Sequence, residues 1–123
     1  MDIKKVFKSF PHAIRGLSLV SKERNMRVHI IAVVVVTVAG LLFNISLMEW
    51  IAVFICFSLV MSLETVNTVL EDICNKLRDD LGLSYDSTKN ARDLAAGAVL
   101  ISAIFSVNVA ILIFLPKILD LFI

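Results

Sequence analysis

Cysteine, proline and glycine are all scarce in this chain, with two, two and four copies among 123 residues. Cys56 and Cys74 have neither metal-ligand spacing nor a histidine close in sequence, which argues against a disulfide framework or a zinc site. The first residues do not read as a cleavable signal, because charges recur as far as Arg27 and no short apolar core leads to a small-residue cleavage site. The chain is therefore read as mature. Internal repeats and low-complexity linkers are also missing, so the sequence reads as one domain.

What is abundant is apolar surface. Apolar residues make up 59% of the chain, and the mean hydropathy is strongly positive. That is more than a soluble domain of this size can bury, so the class is integral membrane and all-α. The net charge of +1 hides a partition. Lys4, Lys5, Lys8, Arg15, Lys22, Arg24 and Arg27 all precede the first long apolar run. This basic collar suits an anionic lipid surface. No nucleic-acid motif or aromatic–basic interleaving accompanies it, so nucleic acid is not expected as a partner.

Within residues 1–24, Ile3, Val6, Phe7, Phe10, Ile14 and Leu17 recur at helical spacing with the basic residues off that stripe. The pattern predicts an amphipathic helix lying in the interface plane, kinked or split at Pro11. Apolar runs then occupy residues 28–43, 47–63 (broken by Glu49) and 94–116. A crossing needs roughly 20 apolar residues, so with flanking residues these predict three spans. The expected bounds are 26–44, 48–75 with a cytoplasmic extension, and 92–116, with a loop over 76–91 that turns at Gly82. Residues 44–49 carry no Lys or Arg, which puts the N-terminus and the 76–91 loop on the cytoplasmic side and the C-terminus outside. Trp50 fits an interfacial anchor at the outer start of the second span.

The chemistry is expected at the inner end of that second span. Glu64, Asn67, Glu71 and Asn75 fall within about 80° of one another at 100° per residue, so two carboxylates and two amides share one helix face. Ionisable groups at membrane depth are costly and normally mark a substrate path, a proton relay or a binding site. Glu64 is the deepest of them. Arg92 and Asp93 precede the small residues Ala95, Ala96, Gly97 and Ala98, which would let the two inner helix ends approach closely. Glu23, with Arg27 four residues on, sits just before the first span at the same level.

Carboxylates and cations gathered at the membrane boundary suit phosphoryl transfer. That reaction needs Mg²⁺ held by one or two carboxylates and the nucleotide phosphates, cations to neutralise charge, and a base near the attacking hydroxyl. No P-loop and no kinase glycine-rich loop is present, so a nucleotide site here is of another kind. Two rival readings are a small pore- or holin-like protein and a proton-translocating subunit built on Glu64. A pore would carry its polar residues along the whole span, and a proton path would not need Glu23, Glu71 or the Arg92–Asp93 pair.

At these residues the sequence resembles the small bacterial diacylglycerol kinase family, whose Gram-positive-type members are undecaprenol kinases. ETVNTVLED (64–72) is similar to the family's second-span signature, and RDLAAGAVLI (92–101) to the opening of its third span. FKSFPHAIRGL (7–17) and ERNMRVH (23–29) are similar to its surface helix and the start of its first span. The resemblance implies a homotrimer in the bacterial inner membrane, with active sites shared between neighbouring subunits. It also implies ATP as phosphoryl donor, Mg²⁺ as cofactor and a membrane lipid as acceptor, either undecaprenol or diacylglycerol. By matching motifs, Glu64 would be the catalytic base and touch the acceptor, with Asn67 supporting the site. Glu23 and Glu71 would be the Mg²⁺ and ATP ligands, Arg92 and Asp93 the nucleotide-binding pair, and His12 a further nucleotide contact. The chain departs from the family where Arg92–Asp93 replaces Lys–Asp, where Asn75 replaces Asp, and in a longer connection whose Ser84, Tyr85 and Asp86 replace Glu–Tyr–His. Arg keeps the charge but turns a point into a fork.

Overall fold

A computed structural model describes every residue from Met1 to Ile123, and all of its regular structure is helical. The helices are α1 (Ile3–Val20), α2 (Arg24–Leu42), α3 (Leu47–Leu81) and α4 (Tyr85–Phe122). Of these, α2, α3 and α4 are long and apolar enough to cross a membrane. α3 and α4 form the main packed pair, and α2 lies against α3.

α1 starts at Asp2, whose side chain accepts from the Lys4 backbone N–H at 3.1 Å. Of the kink or split expected at Pro11, the split does not occur, and the helix runs through it. A proline removes one rung of the hydrogen-bond ladder, and on this exposed stretch the turns on either side carry the helix across. Val20 is the one buried residue of α1, while Ile3, Phe7, Phe10, Ile14 and Leu17 stay exposed.

The turn from α2 to α3 is closed by its own backbone. Asn44 adopts a left-handed conformation at φ 50°, the Ile45 N–H reaches the Gly40 carbonyl at 3.1 Å, and the Asn44 N–H reaches Leu41 at 3.3 Å. These two bonds satisfy carbonyls that the helix end would otherwise leave bare. α3 then opens with a reciprocal cap, in which Ser46 Oγ accepts from the Glu49 N–H at 3.2 Å and Glu49 Oε1 accepts from the Ser46 N–H at 3.0 Å. The second oxygen of Glu49 accepts from Lys117 Nζ at 2.6 Å, so the carboxylate that interrupts the second apolar run also ties the start of α3 to the end of α4. Beside this pair lies the core of Ile45, Val53, Ile113 and Phe114, flanked by Phe43 and Trp50.

The loop expected over residues 76–91 is mostly helix. α3 continues to Leu81, Gly82 reverses the chain at φ 68°, and α4 begins at Tyr85 with Ser84 as its cap. Lys, Leu and Arg are good helix formers, and a serine followed by an acidic first turn is a start signal, so the polar stretch extends both helices instead of unwinding them. α4 also passes through Pro116 and ends at Phe122, beyond the bound expected at 116. Lys117 reinforces the turn after that proline by donating to the Ile113 carbonyl at 3.1 Å. At 1.5 Å per residue α3 is about 50 Å long and α4 about 55 Å, against a hydrocarbon core of about 30 Å. The surplus of α3, and the part of α4 before residue 94, lie at the α3–α4 turn, where the polar residues are.

Within the spans, hydroxyls are satisfied by their own helix. Thr37 donates to Val33, Thr65 to Met61 and Ser102 to Val99, each over 2.7–2.8 Å. Only 13 of the 123 residues are buried, so most of the apolar surface is left for lipid or for neighbouring copies to cover.

Candidate active site

The polar face of α3 divides into three levels along the helix. Glu64 is deepest and only 3% exposed. At about 1.5 Å per residue it lies some 25 Å from the start of α3, close to where a 30 Å hydrocarbon layer would end. Its carboxylate meets His29 of α2, with His29 Nε2 3.6 Å from Glu64 Oε2. That separation is within ion-pair reach and slightly long for a hydrogen bond.

One turn on, Asn67 is equally buried. Its Nδ2 donates to Glu71 Oε1 at 3.3 Å, while its Oδ1 is buried without a partner. An orphaned buried acceptor costs roughly 1–3 kcal/mol, so a cation or donor supplied from outside the chain would be favoured there. Glu71 is half-buried beside it.

The third level joins α3 to α4 through Arg92. Its Nη1 donates to Asn75 Oδ1 at 3.0 Å and its Nε to Thr88 Oγ1 at 3.2 Å, and the guanidinium carbon stands 5.0 Å from the centre of the Tyr85 ring. Nη2 is buried and has no partner. Three contacts therefore fix the fork while one of its amines is left to bond an anion. Because Asn75 is neutral, the fork keeps its full charge.

The remaining expected site residues are not drawn into this row. Asp93 is exposed and pairs with Lys89 at 3.3 Å. Glu23 is exposed at the N-cap of α2, without a side-chain cap bond, and His12 is exposed on α1. No group of three His, Cys, Asp or Glu side chains within the chain is placed to hold a metal. Farther out on α3, Arg78 Nε donates to Asp79 Oδ1 at 2.9 Å, and this bond holds the Asp79 carboxyl below the ordinary carboxylate range.

A family model described as prokaryotic diacylglycerol kinase matches residues 11–114, which include all of these levels. The chain belongs to that family. Among its relatives in the family is an undecaprenol kinase of Bacillus subtilis (strain 168), 37% identical over 117 residues that cover 94% of this chain and 93% of the relative. A diacylglycerol kinase of Synechocystis is 36% identical over 92% of this chain and 64% of its own length. A diacylglycerol kinase of Sinorhizobium is 26% identical over 80% of this chain and 69% of its own length. No solved structure matches the chain.

Two features of this family member escaped the sequence reading. His29 lies within the run taken as apolar over 28–43, and the rule that singled out Glu64, an ionisable group at membrane depth, applies to it equally. Thr88 and Tyr85 were placed in a loop, and only the helical extension of α4 turns them toward Arg92. An apolar groove of about 180 Å³ opens between α2, α3 and α4, with His29 on its wall beside Val33, Val53, Phe57, Met61 and Ala110.

Proposed function

We propose that the protein is an ATP-dependent lipid kinase that transfers the γ-phosphoryl group to a membrane lipid hydroxyl, either undecaprenol or diacylglycerol. The carrying observation is the order of groups along α3 and α4. A buried carboxylate at the hydrocarbon boundary comes first, then an amide–carboxylate pair, then an arginine with one unpartnered amine toward the aqueous end. A lipid hydroxyl can reach Glu64 from within the bilayer while the nucleotide stays in water.

Glu64 accepts the hydroxyl proton as the oxygen attacks the γ-phosphorus, the bond to the β–γ bridging oxygen breaks, and ADP leaves. Arg92, stacked on Tyr85, bonds phosphate oxygens with Nη2 and neutralises their charge, and Asp93 and His12 are the further nucleotide contacts that the resemblance implies. Hard oxygen donors suit Mg²⁺, which takes one or two carboxylates together with phosphate oxygens; Glu71 and the free Oδ1 of Asn67 would hold it, with Glu23 supplied by a neighbouring copy. When bound, the ion would draw charge from the phosphate oxygens.

The resemblance implies a homotrimer, and the exposed Glu23 and uncovered apolar surface leave room for neighbouring copies to complete each site. α1 then lies on the cytoplasmic face of the bacterial inner membrane with its apolar stripe in the lipid, the α3–α4 turn on the same side and the C-terminus outside.

The test is phosphate transfer from radiolabelled ATP by purified protein in mixed micelles that contain diacylglycerol or undecaprenol, with and without Mg²⁺. Mg²⁺-dependent labelling of one lipid is expected, together with a loss of turnover on the order of 10²–10⁴-fold in Glu64→Gln while ATP binding is retained. A Glu64→Gln protein as active as wild type would falsify the assignment of the base.

A further inference from the structure

Glu64 has one basic partner within ion-pair distance in the chain, and it comes from another helix. His29 of α2 places Nε2 3.6 Å from Glu64 Oε2, and the side chains are 19% and 4% exposed. His29 also stands on the wall of the apolar groove between α2, α3 and α4, the route by which an apolar chain within the bilayer could approach that carboxylate. Resting on the kinase reading above, we infer that His29 is a positioning residue, which holds the Glu64 carboxylate toward the acceptor hydroxyl.

The physical need is plain. A glutamate has three rotatable bonds, and on α3 its carboxylate receives no hydrogen bond from its own helix; Thr68 Oγ1 binds the Glu64 backbone carbonyl instead, at 3.0 Å. A base that must meet a hydroxyl within about 3 Å loses rate steeply when its carboxylate wanders. An imidazole on a neighbouring helix, donating from Nε2 to the one carboxylate oxygen it faces, would leave the other oxygen for the hydroxyl proton. The 3.6 Å separation is one that a bound acceptor can tighten, as catalytic hydrogen bonds often do.

The experiment compares His29→Gln, His29→Asn and His29→Leu with wild type in the mixed-micelle assay, measuring kcat and KM for lipid and for ATP separately. Glutamine places its amide N–H near the position of Nε2, whereas asparagine is too short to reach and leucine has no donor. The expected result is a kcat lowered on the order of 10–100-fold in the asparagine and leucine proteins, restored to within a few-fold by glutamine, with KM for ATP unchanged. Equal rates in the glutamine and asparagine proteins would overturn the inference, even if the leucine protein failed to fold. So would a raised KM for lipid at unchanged kcat, which would make His29 only part of the groove wall. Absence of any lipid labelling by the wild type would instead overturn the kinase reading itself.

Discussion

Arg92 Nη1 and Asn75 Oδ1, 3.0 Å apart, join α4 to α3 across the chain's polar end. The resemblance implies Lys where Arg92 stands and Asp where Asn75 stands, and these two positions meet in one hydrogen bond. A lysine could not bond Asn75, Thr88 and an anion in one plane, whereas the arginine fork does so with Nη1, Nε and Nη2.

Arg92→Lys should therefore raise KM for ATP by about 10-fold or more, since hydrogen bonds to charged groups are worth about 1.5–3 kcal/mol. Asn75→Asp should also raise it, because a carboxylate at 3.0 Å would take up the charge now free for phosphate. In the double variant Arg92→Lys/Asn75→Asp the two effects should not add, because the groups are in contact. Steady-state kinetics in ATP at saturating lipid checks all three.

Gly40 should tolerate no side chain. A Cβ there would lie 2.7 Å from Cη2 and 2.9 Å from Cζ2 of Trp50, and 3.1 Å from Cδ1 of Ile45. The indole is rigid and held against Phe54 by stacking at 5.6 Å, so it cannot swing clear as a flexible chain would. Gly40→Ala should cost about 1–3 kcal/mol, read as a lower thermal midpoint in detergent, and Gly40→Ala with Trp50→Leu should recover part of it.

What could be read from the sequence follows from what leaves a periodic trace. The spans were visible as apolar runs, and the row from Glu64 to Asn75 as a repeat near 3.6 residues, because both depend on spacing along one helix. His29 and Trp50 matter through contacts with other helices, Glu64 and Gly40 respectively, and spacing along one helix does not reveal those. The extension of α3 and α4 over residues 76–91 was missed for a different reason. Polarity there was taken for a loop, although its helix formers and the Ser84 cap carried a local signal.

Glu49 should contribute through two separable contacts. Glu49→Gln keeps the reciprocal cap with Ser46 but loses the charge that meets Lys117, and Lys117→Met loses the pair together with the bond to the Ile113 carbonyl. Both should lower the thermal midpoint modestly, Lys117→Met the more, and the double variant should be no worse than Lys117→Met alone. Glu49→Ala should fall further because the cap goes as well. Activity in the folded protein should be unchanged in all of them, since at 1.5 Å per residue Glu49 lies about 22 Å along α3 from Glu64.

On the kinase reading proposed above, Asn67 should govern how well the site takes Mg²⁺. It holds Glu71 by one hydrogen bond at 3.3 Å and offers a buried oxygen with no partner in the chain. Asn67→Leu keeps the volume but frees the Glu71 carboxylate and removes that oxygen. The Mg²⁺ concentration needed for half-maximal rate should then rise about 10–100-fold, the usual cost of losing a group that orients a metal ligand. At saturating Mg²⁺ much of the rate should return, because Glu64 and His29 are untouched. Asn67→Asp should behave differently: an added carboxylate beside Glu71 repels it in the absence of metal, so Mg²⁺ should bind as well as in wild type or better while the apo protein loses stability. A Mg²⁺ titration of the rate, run beside a thermal melt with and without the ion, separates the two substitutions. An Asn67→Leu protein with unchanged Mg²⁺ dependence would place the ion elsewhere than at Glu71.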